Sequence, residues 1–140
     1  MSRKPPLNKH GTLQHDHHCD WGDFVKIWGN NSHRKKLIQK ATPALQMLKK
    51  AGVKTVYIAG SFASNKPNPK DIDGVFETGD DFDESELPDN FLVFLYQRGL
   101  DFYADTTPTE FNGAPHIEFF RIGRNDEKPG LIVLSLSGIP

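Results

Sequence analysis

The apolar positions of this chain follow two periods, and the change from one to the other predicts its layout. Between residues 20 and 29, Trp21, Phe24, Val25 and Trp28 recur at helical spacing, and Gly29-Asn30 close the pattern. Leu37, Ile38, Ala41, Leu45 and Leu48 then recur at steps of three and four, which predicts an amphipathic helix with a Lys/Arg-rich outer face. Asn31 or Ser32 suits its N-cap, Lys49 and Lys50 suit its last turn, and Gly52 suits the position just beyond. Pro43 leaves two options: one kinked helix, or a second helix capped by Thr42 with Pro43 in its first turn.

The period then shortens to that of strands. Residues 53–59, VKTVYIA, are β-branched and aromatic and bounded by glycines, which predicts a central strand buried on both faces. Gly60-Ser61 follow, then FAS, which can open a short helix, and a proline-rich loop, NKPNPK. Residues 71–77, DIDGVFE, predict a second strand with Asp71, Asp73, Val75 and Glu77 on one face and Ile72, Gly74 and Phe76 on the other. Residues 78–90 carry six acidic side chains and no basic one, the mark of an exposed loop. Residues 91–99 read as a short buried helix or strand. Residues 100–106, LDFYADT, alternate as a strand, with Asp101, Tyr103 and Asp105 on one face. A loop, an apolar element at 116–123, a turn and a closing strand at 131–137 complete the chain. The fold class expected is α/β (α+β), a mixed β-sheet flanked by helices.

Composition adds limits. A chain of 140 residues has room for one domain with a real core. The expected division is a His-rich, partly flexible arm with a short helix over 1–30, and the folded domain over 31–140. No run approaches the ~18 apolar residues of a membrane span. The basic N-terminus lacks the apolar core of a secretory signal, and Cys19 is the sole cysteine, so no internal disulfide forms. These point to a cytoplasmic protein. The arm also holds His10, His15, His17 and His18 beside Cys19, but their spacing fits no closed four-ligand zinc pattern.

Charge is uneven. Residues 1–50 hold 10 Lys/Arg against 3 Asp/Glu, and residues 51–140 hold 7 against 15. The basic 34–50 helix is therefore either a solvated face or a surface for a polyanion such as nucleic acid.

The candidate chemistry lies between residues 58 and 75, IAGSFASNKPNPKDIDGV. Asp71 and Asp73 leave the same face of an extended segment, with Cα atoms roughly 7 Å apart. Two such carboxylates repel unless a cation lies between them, and a hard divalent ion held with substrate phosphates fits that role. The Gly60-Ser61 turn can bring backbone N–H groups close to a phosphate. Lys66 and Lys70, in the loop between the two motifs, could contact a triphosphate or simply be exposed, and Arg34 and Arg121 could serve a nucleotide too, though nothing local singles them out. The same residues have structural readings as well: an ordinary turn, a helix cap at Ser61, and a solvated strand start.

A hydrophobic strand, Ala59-Gly60-Ser61, nine residues, then Asp71-Ile72-Asp73 flanked by apolar residues resembles the signature of the nucleotidyltransferase superfamily that includes DNA polymerase beta, in its small bacterial form. A wider likeness over residues 30–137 resembles uncharacterised bacterial and phage proteins placed in that superfamily. The resemblance implies a nucleotidyltransferase-like fold and transfer of a nucleoside monophosphate from a nucleoside triphosphate to a hydroxyl acceptor, with Mg²⁺ or Mn²⁺. It implies Asp71 and Asp73 as catalytic metal ligands and Gly60 and Ser61 as the turn that holds the triphosphate. It calls for a third carboxylate from a later strand: Asp101, bracketed by Leu100 and Phe102, then Asp105, then Glu118. The acceptors it allows are protein, RNA or a small molecule, in a setting such as toxin–antitoxin or phage defence, with a partner protein where one exists. Gly74 departs from the resemblance, since a bulkier apolar residue is usual there. Two other readings stand beside it: a non-catalytic nucleotide-binding or protein-interaction module of the same fold, and a nucleic-acid binder using the 34–50 helix.

Overall fold

The computed structural model of the chain describes residues 5–9, 11–105 and 129–140. Within them, five strands form one mixed sheet: β1 (His17–Cys19), β2 (Thr55–Ala59), β3 (Ile72–Phe76), β4 (Leu100–Ala104) and β5 (Ile132–Ser135). The strand order is β1-β5-β2-β3-β4. β2 is antiparallel to both its neighbours, β3 and β5, while β1 runs parallel to β5 and β4 parallel to β3. Three helices accompany the sheet: α1 (Trp21–Asp23), which continues into a wider turn over Phe24–Trp28, α2 (Ser32–Lys50) and α3 (Phe91–Gln97). The class is α+β, with the central strand where the apolar run placed it.

Helix α2 resolves the Pro43 alternatives in favour of one continuous helix. Pro43 has no N–H to give to the preceding turn. Beside it, the Thr42 hydroxyl donates to the Ile38 carbonyl at 2.7 Å. Asn31 is the N-cap, its side-chain oxygen accepting from the Arg34 N–H at 2.7 Å. Gly52, at φ +97°, turns the chain away after the helix, where a Cβ would lie 1.9 Å from the Asp81 carbonyl oxygen.

One face of the sheet packs on α2. Val56, Ile58, Ile72, Phe76, Phe102, Ile132 and Leu134 share a buried cluster with Leu37, Ile38, Ala41, Leu45 and Leu48. The register puts Ile58, Gly74 and Phe102 side by side on this face. A Cβ on Gly74 would meet the Phe102 ring at 3.1 Å and the Tyr57 carbonyl oxygen at 3.0 Å. Gly74 therefore makes room for the neighbouring aromatic ring. The other face carries Tyr57, Val75 and Val133, and with them Asp73, Asp101 and Tyr103.

The segment expected as an arm contributes to the same core. β1 extends the sheet, and Leu13, Phe24 and Trp28 are fully buried. The Trp28 indole N–H donates to His17 Nδ1 at 3.1 Å, which requires that nitrogen to be unprotonated. Burial, the largest cause, holds the His17 pKa below its usual value. Cys19 is also buried, and desolvation pushes its thiol up to about 12. Among the described residues, neither joins a cluster with metal-ligand spacing. The boundary at residue 30 thus divides one core, because the aromatic stripe of 21–28 needs the sheet to bury it. No helix of the described residues is long and apolar enough to cross a membrane.

Candidate metal and phosphate site

The site is built at one end of β3. Asp71 precedes the strand and Asp73 is its second residue, so the period of two sends both to the face opposite α2. Parallel pairing of β3 with β4 sets Asp101 directly beside Asp73. The three side chains offer carboxylate oxygens that all lie within 4.8 Å of one another. Asp71 and Asp73 are half-buried and Asp101 is exposed. Three oxygen donors at this spacing could hold a metal ion.

Electrostatics agree with a site that is short of positive charge. The Asp73 carboxyl is pushed up to about 7, first by burial, then by the Asp71 charge and by Asp101. Asp71 is raised too, by burial and then by Asp101, with Lys70 pulling the other way. The Tyr103 phenol, one repeat along from Asp101, is raised by burial and then by Asp101 and Asp73. At Asp71 and Asp73 the cause is the same: burial and neighbouring carboxylates both disfavour the charged form.

Gly60 touches this cluster. It begins a short helical turn, Gly60–Ala63, directly after β2, and Ala59 pairs with Asp73. Gly60 stands at φ +71°, and a Cβ there would lie 2.8 Å from Asp73 Oδ2. Both the backbone angle and the close carboxylate require glycine. Ser61 is half-buried, and its carbonyl accepts from the Ser64 hydroxyl at 2.6 Å. The structure therefore brings Asp71, Asp73, Asp101 and Gly60-Ser61 into one neighbourhood.

Asp105 does not belong to it. Its Oδ1 accepts from the Thr78 N–H at 3.1 Å and the Thr78 hydroxyl at 2.5 Å, and its own N–H donates to the Phe76 carbonyl. It closes the far ends of β3 and β4, four residues beyond Asp101. Glu118 and Arg121 lie outside the described residues, as do the apolar element at 116–123 and His10. Lys66 and Lys70 are exposed. A cavity of about 980 Å³ also borders β4, lined in part by Phe76, Phe82, Phe91, Phe102 and Tyr103, and none of the three aspartates lines it.

Arg34 was a candidate nucleotide contact that nothing local in the sequence singles out, and its burial was not foreseen. It is fully buried, yet among the described residues no carboxylate bonds it. Its guanidinium donates to the carbonyls of Phe62 (2.8 Å), Ser64 (2.8 Å), Lys66 (2.7 Å), Ser61 (3.4 Å) and Trp28 (3.3 Å). Its Cζ also lies 4.7 Å from the Phe62 ring centroid. Desolvation lowers its pKa to about 10, so it remains charged at neutral pH. One signal was available: position 34 continues the buried stripe of 37, 38, 41, 44, 45 and 48 at helical spacing.

Comparison with known proteins gives a family without a function. The chain belongs to the family of unknown function DUF6932, whose model matches residues 5–135. No curated protein and no solved structure matches it.

Proposed function

We propose that this DUF6932 chain is a metal-dependent nucleotidyltransferase. It would move a nucleoside monophosphate from a nucleoside triphosphate to a hydroxyl on a protein, an RNA or a small molecule. The observation that carries the reading is the meeting of Asp71, Asp73 and Asp101 within 4.8 Å, with Gly60 against Asp73. The sequence resemblance supports it independently, because it called for a third carboxylate from a later strand, and Asp101 occupies such a place.

In this reading the acceptor oxygen attacks the α-phosphorus, the bond from that phosphorus to the bridging oxygen breaks, and pyrophosphate leaves. Asp71, Asp73 and Asp101 would hold Mg²⁺ or Mn²⁺, which supplies positive charge against the phosphoryl oxygens. Asp101, the exposed member of the three, would take the acceptor's proton. Gly60 and Ser61 would present the turn to the triphosphate. Gly60, without a Cβ, lets phosphate and carboxylate approach the same backbone.

The test uses the full chain with each of the four labelled nucleoside triphosphates, Mg²⁺ or Mn²⁺, and a bacterial lysate as the source of acceptors. A labelled product that disappears in Asp71→Asn and Asp73→Asn is expected. No product with any nucleotide, together with no Mn²⁺ binding, sinks the reading. Nucleotide binding without transfer favours a non-catalytic module of the same fold. Salt-dependent RNA or DNA binding that survives Asp73→Ala favours a nucleic-acid binder instead.

A further inference from the structure

The segment between the two motifs, residues 61–70, hangs from the first turn of α2. Three side chains there hold it by its carbonyls. Arg34 takes those of Ser61, Phe62, Ser64 and Lys66. Asn31 Nδ2 donates to the Pro67 carbonyl at 2.9 Å. His33 Nε2 lies 2.6 Å from the Pro69 carbonyl, an acceptor, so this nitrogen carries the proton. In a trans peptide the C=O and the following N–H point opposite ways. Turning the Ser61, Phe62 and Ser64 carbonyls toward Arg34 therefore sends the N–H groups of Phe62, Ala63 and Asn65 to the far side of the turn. The Asn65 N–H is received there by the Gly11 carbonyl at 2.9 Å, and Thr12 bridges Ser64. The turn is thus held from both sides, by a buried cation and by the N-terminal segment.

We propose that Arg34 is a positioning residue for nucleotide binding, fixing the peptide orientations of the Gly60–Ala63 turn beside the acidic cluster, with His33 as its auxiliary. The proposal rests on the nucleotidyltransferase reading and adds to it the part of the chain that sets the shape of the triphosphate turn. A buried guanidinium suits this task for a physical reason. It has five N–H donors in a rigid plane and no acceptor, so it can engage several carbonyls at fixed angles. A lysine offers three donors from a single point and cannot reproduce that spread. The cost of desolvating the charge is offset only while the carbonyls stay in place, which links the fold of the turn to the position of α2.

The experiment compares wild type, Arg34→Lys and His33→Ala as full chains by hydrogen exchange, by Mn²⁺ binding with the metal alone, and by binding of Mg²⁺ complexes of ATP, GTP, CTP and UTP. In Arg34→Lys, exchange at 61–66 should rise about tenfold, the value for ~1.4 kcal/mol of lost local protection. β2 and β3 should keep their protection, Mn²⁺ affinity should stay within about twofold, and nucleotide affinity should fall about tenfold. His33 is exposed, so His33→Ala keeps the fold and should show a smaller change confined to 66–70. Equal acceleration in β2, β3 and the turn makes Arg34 an ordinary core group and overturns the proposal. So does a loosened turn with unchanged nucleotide affinity, or no change at 61–66. If Arg34→Lys does not fold, unchanged exchange and nucleotide affinity in His33→Ala overturns the proposal. A wild-type chain that binds none of the four nucleotides overturns the transferase reading itself, whatever the exchange shows.

Discussion

Two charged centres flank the Gly60–Ser64 stretch, and they are stabilised in opposite ways. Arg34 is fully buried and fully bonded, a cation whose counter-charge is spread over backbone carbonyls. Asp71, Asp73 and Asp101 are half-buried or exposed and crowded together, and the Asp71 and Asp73 carboxyls are raised in pKa. The first arrangement is complete within the chain and holds structure. The second is under electrostatic tension and is relieved by a proton or a cation. Burial alone does not explain the difference, since the more buried of the two centres is the one held by backbone carbonyls.

The largest expected effect comes from the tense centre. Asp73→Asn should lower Mn²⁺ affinity and nucleotide transfer by at least about 100-fold, beyond the usual cost of losing a group that merely supports a ligand. Asp101→Asn should follow it closely, while Asp105→Asn should change transfer less than about twofold, because the Asp105 carboxylate holds Thr78 and lies outside the acidic cluster. Equal losses from Asp101→Asn and Asp105→Asn in a transfer assay break the assignment of the third ligand.

Gly60→Ala comes next. It forces a side chain into φ +71° and sets a Cβ 2.8 Å from Asp73 Oδ2. Urea unfolding should show a loss of about 1–3 kcal/mol, and Mn²⁺ affinity should fall with it as the carboxylate is displaced.

The pH dependence is smaller and its sign is informative. Because the folded state raises Asp73 to about 7, it binds that proton more tightly than the unfolded chain does. The stabilising contribution is complete below about pH 4, the unfolded carboxyl value, and is lost as pH rises toward 7. Discounting the full shift for solvent screening leaves on the order of 1–2 kcal/mol. Metal-free Asp73→Asn should therefore lose less stability than wild type between pH 4 and 7 in denaturant titrations. Added Mg²⁺ should restore wild type at pH 7 and leave the variant unmoved. At the small end, Lys54→Ala removes an exposed, solvent-screened ion pair with Asp81 and should leave the urea midpoint essentially unchanged.

Much of this site can be read along the chain. The period of two placed Asp71 and Asp73 on one face without any knowledge of neighbours. Gly60 marked a turn, and the apolar run of 53–59 marked the central strand. The third carboxylate of the cluster was different. Asp101 and Asp105 share a face of one strand, and local pattern ranks them only by their apolar flanks. The parallel register, Asp73 beside Asp101, made the choice, and register depends on which strand pairs with which.

Sequence by itself therefore determined most of the elements, though not the edge strand β1, together with the α+β class, the pair of carboxylates and the glycine that lets backbone come close to them. These depend on periods of two and 3.6 and on the φ freedom of one residue, all of which are local. Tertiary structure alone decided three things. It folded the N-terminal segment into the core, because the 21–28 aromatics have no burial of their own. It selected Asp101 over Asp105. It also buried Arg34, whose partners lie 27 to 32 residues away in the chain apart from Trp28. A charged side chain in a helix reads as solvated until the carbonyls that replace its water are known, and those carbonyls come from a turn that only the assembled sheet brings near.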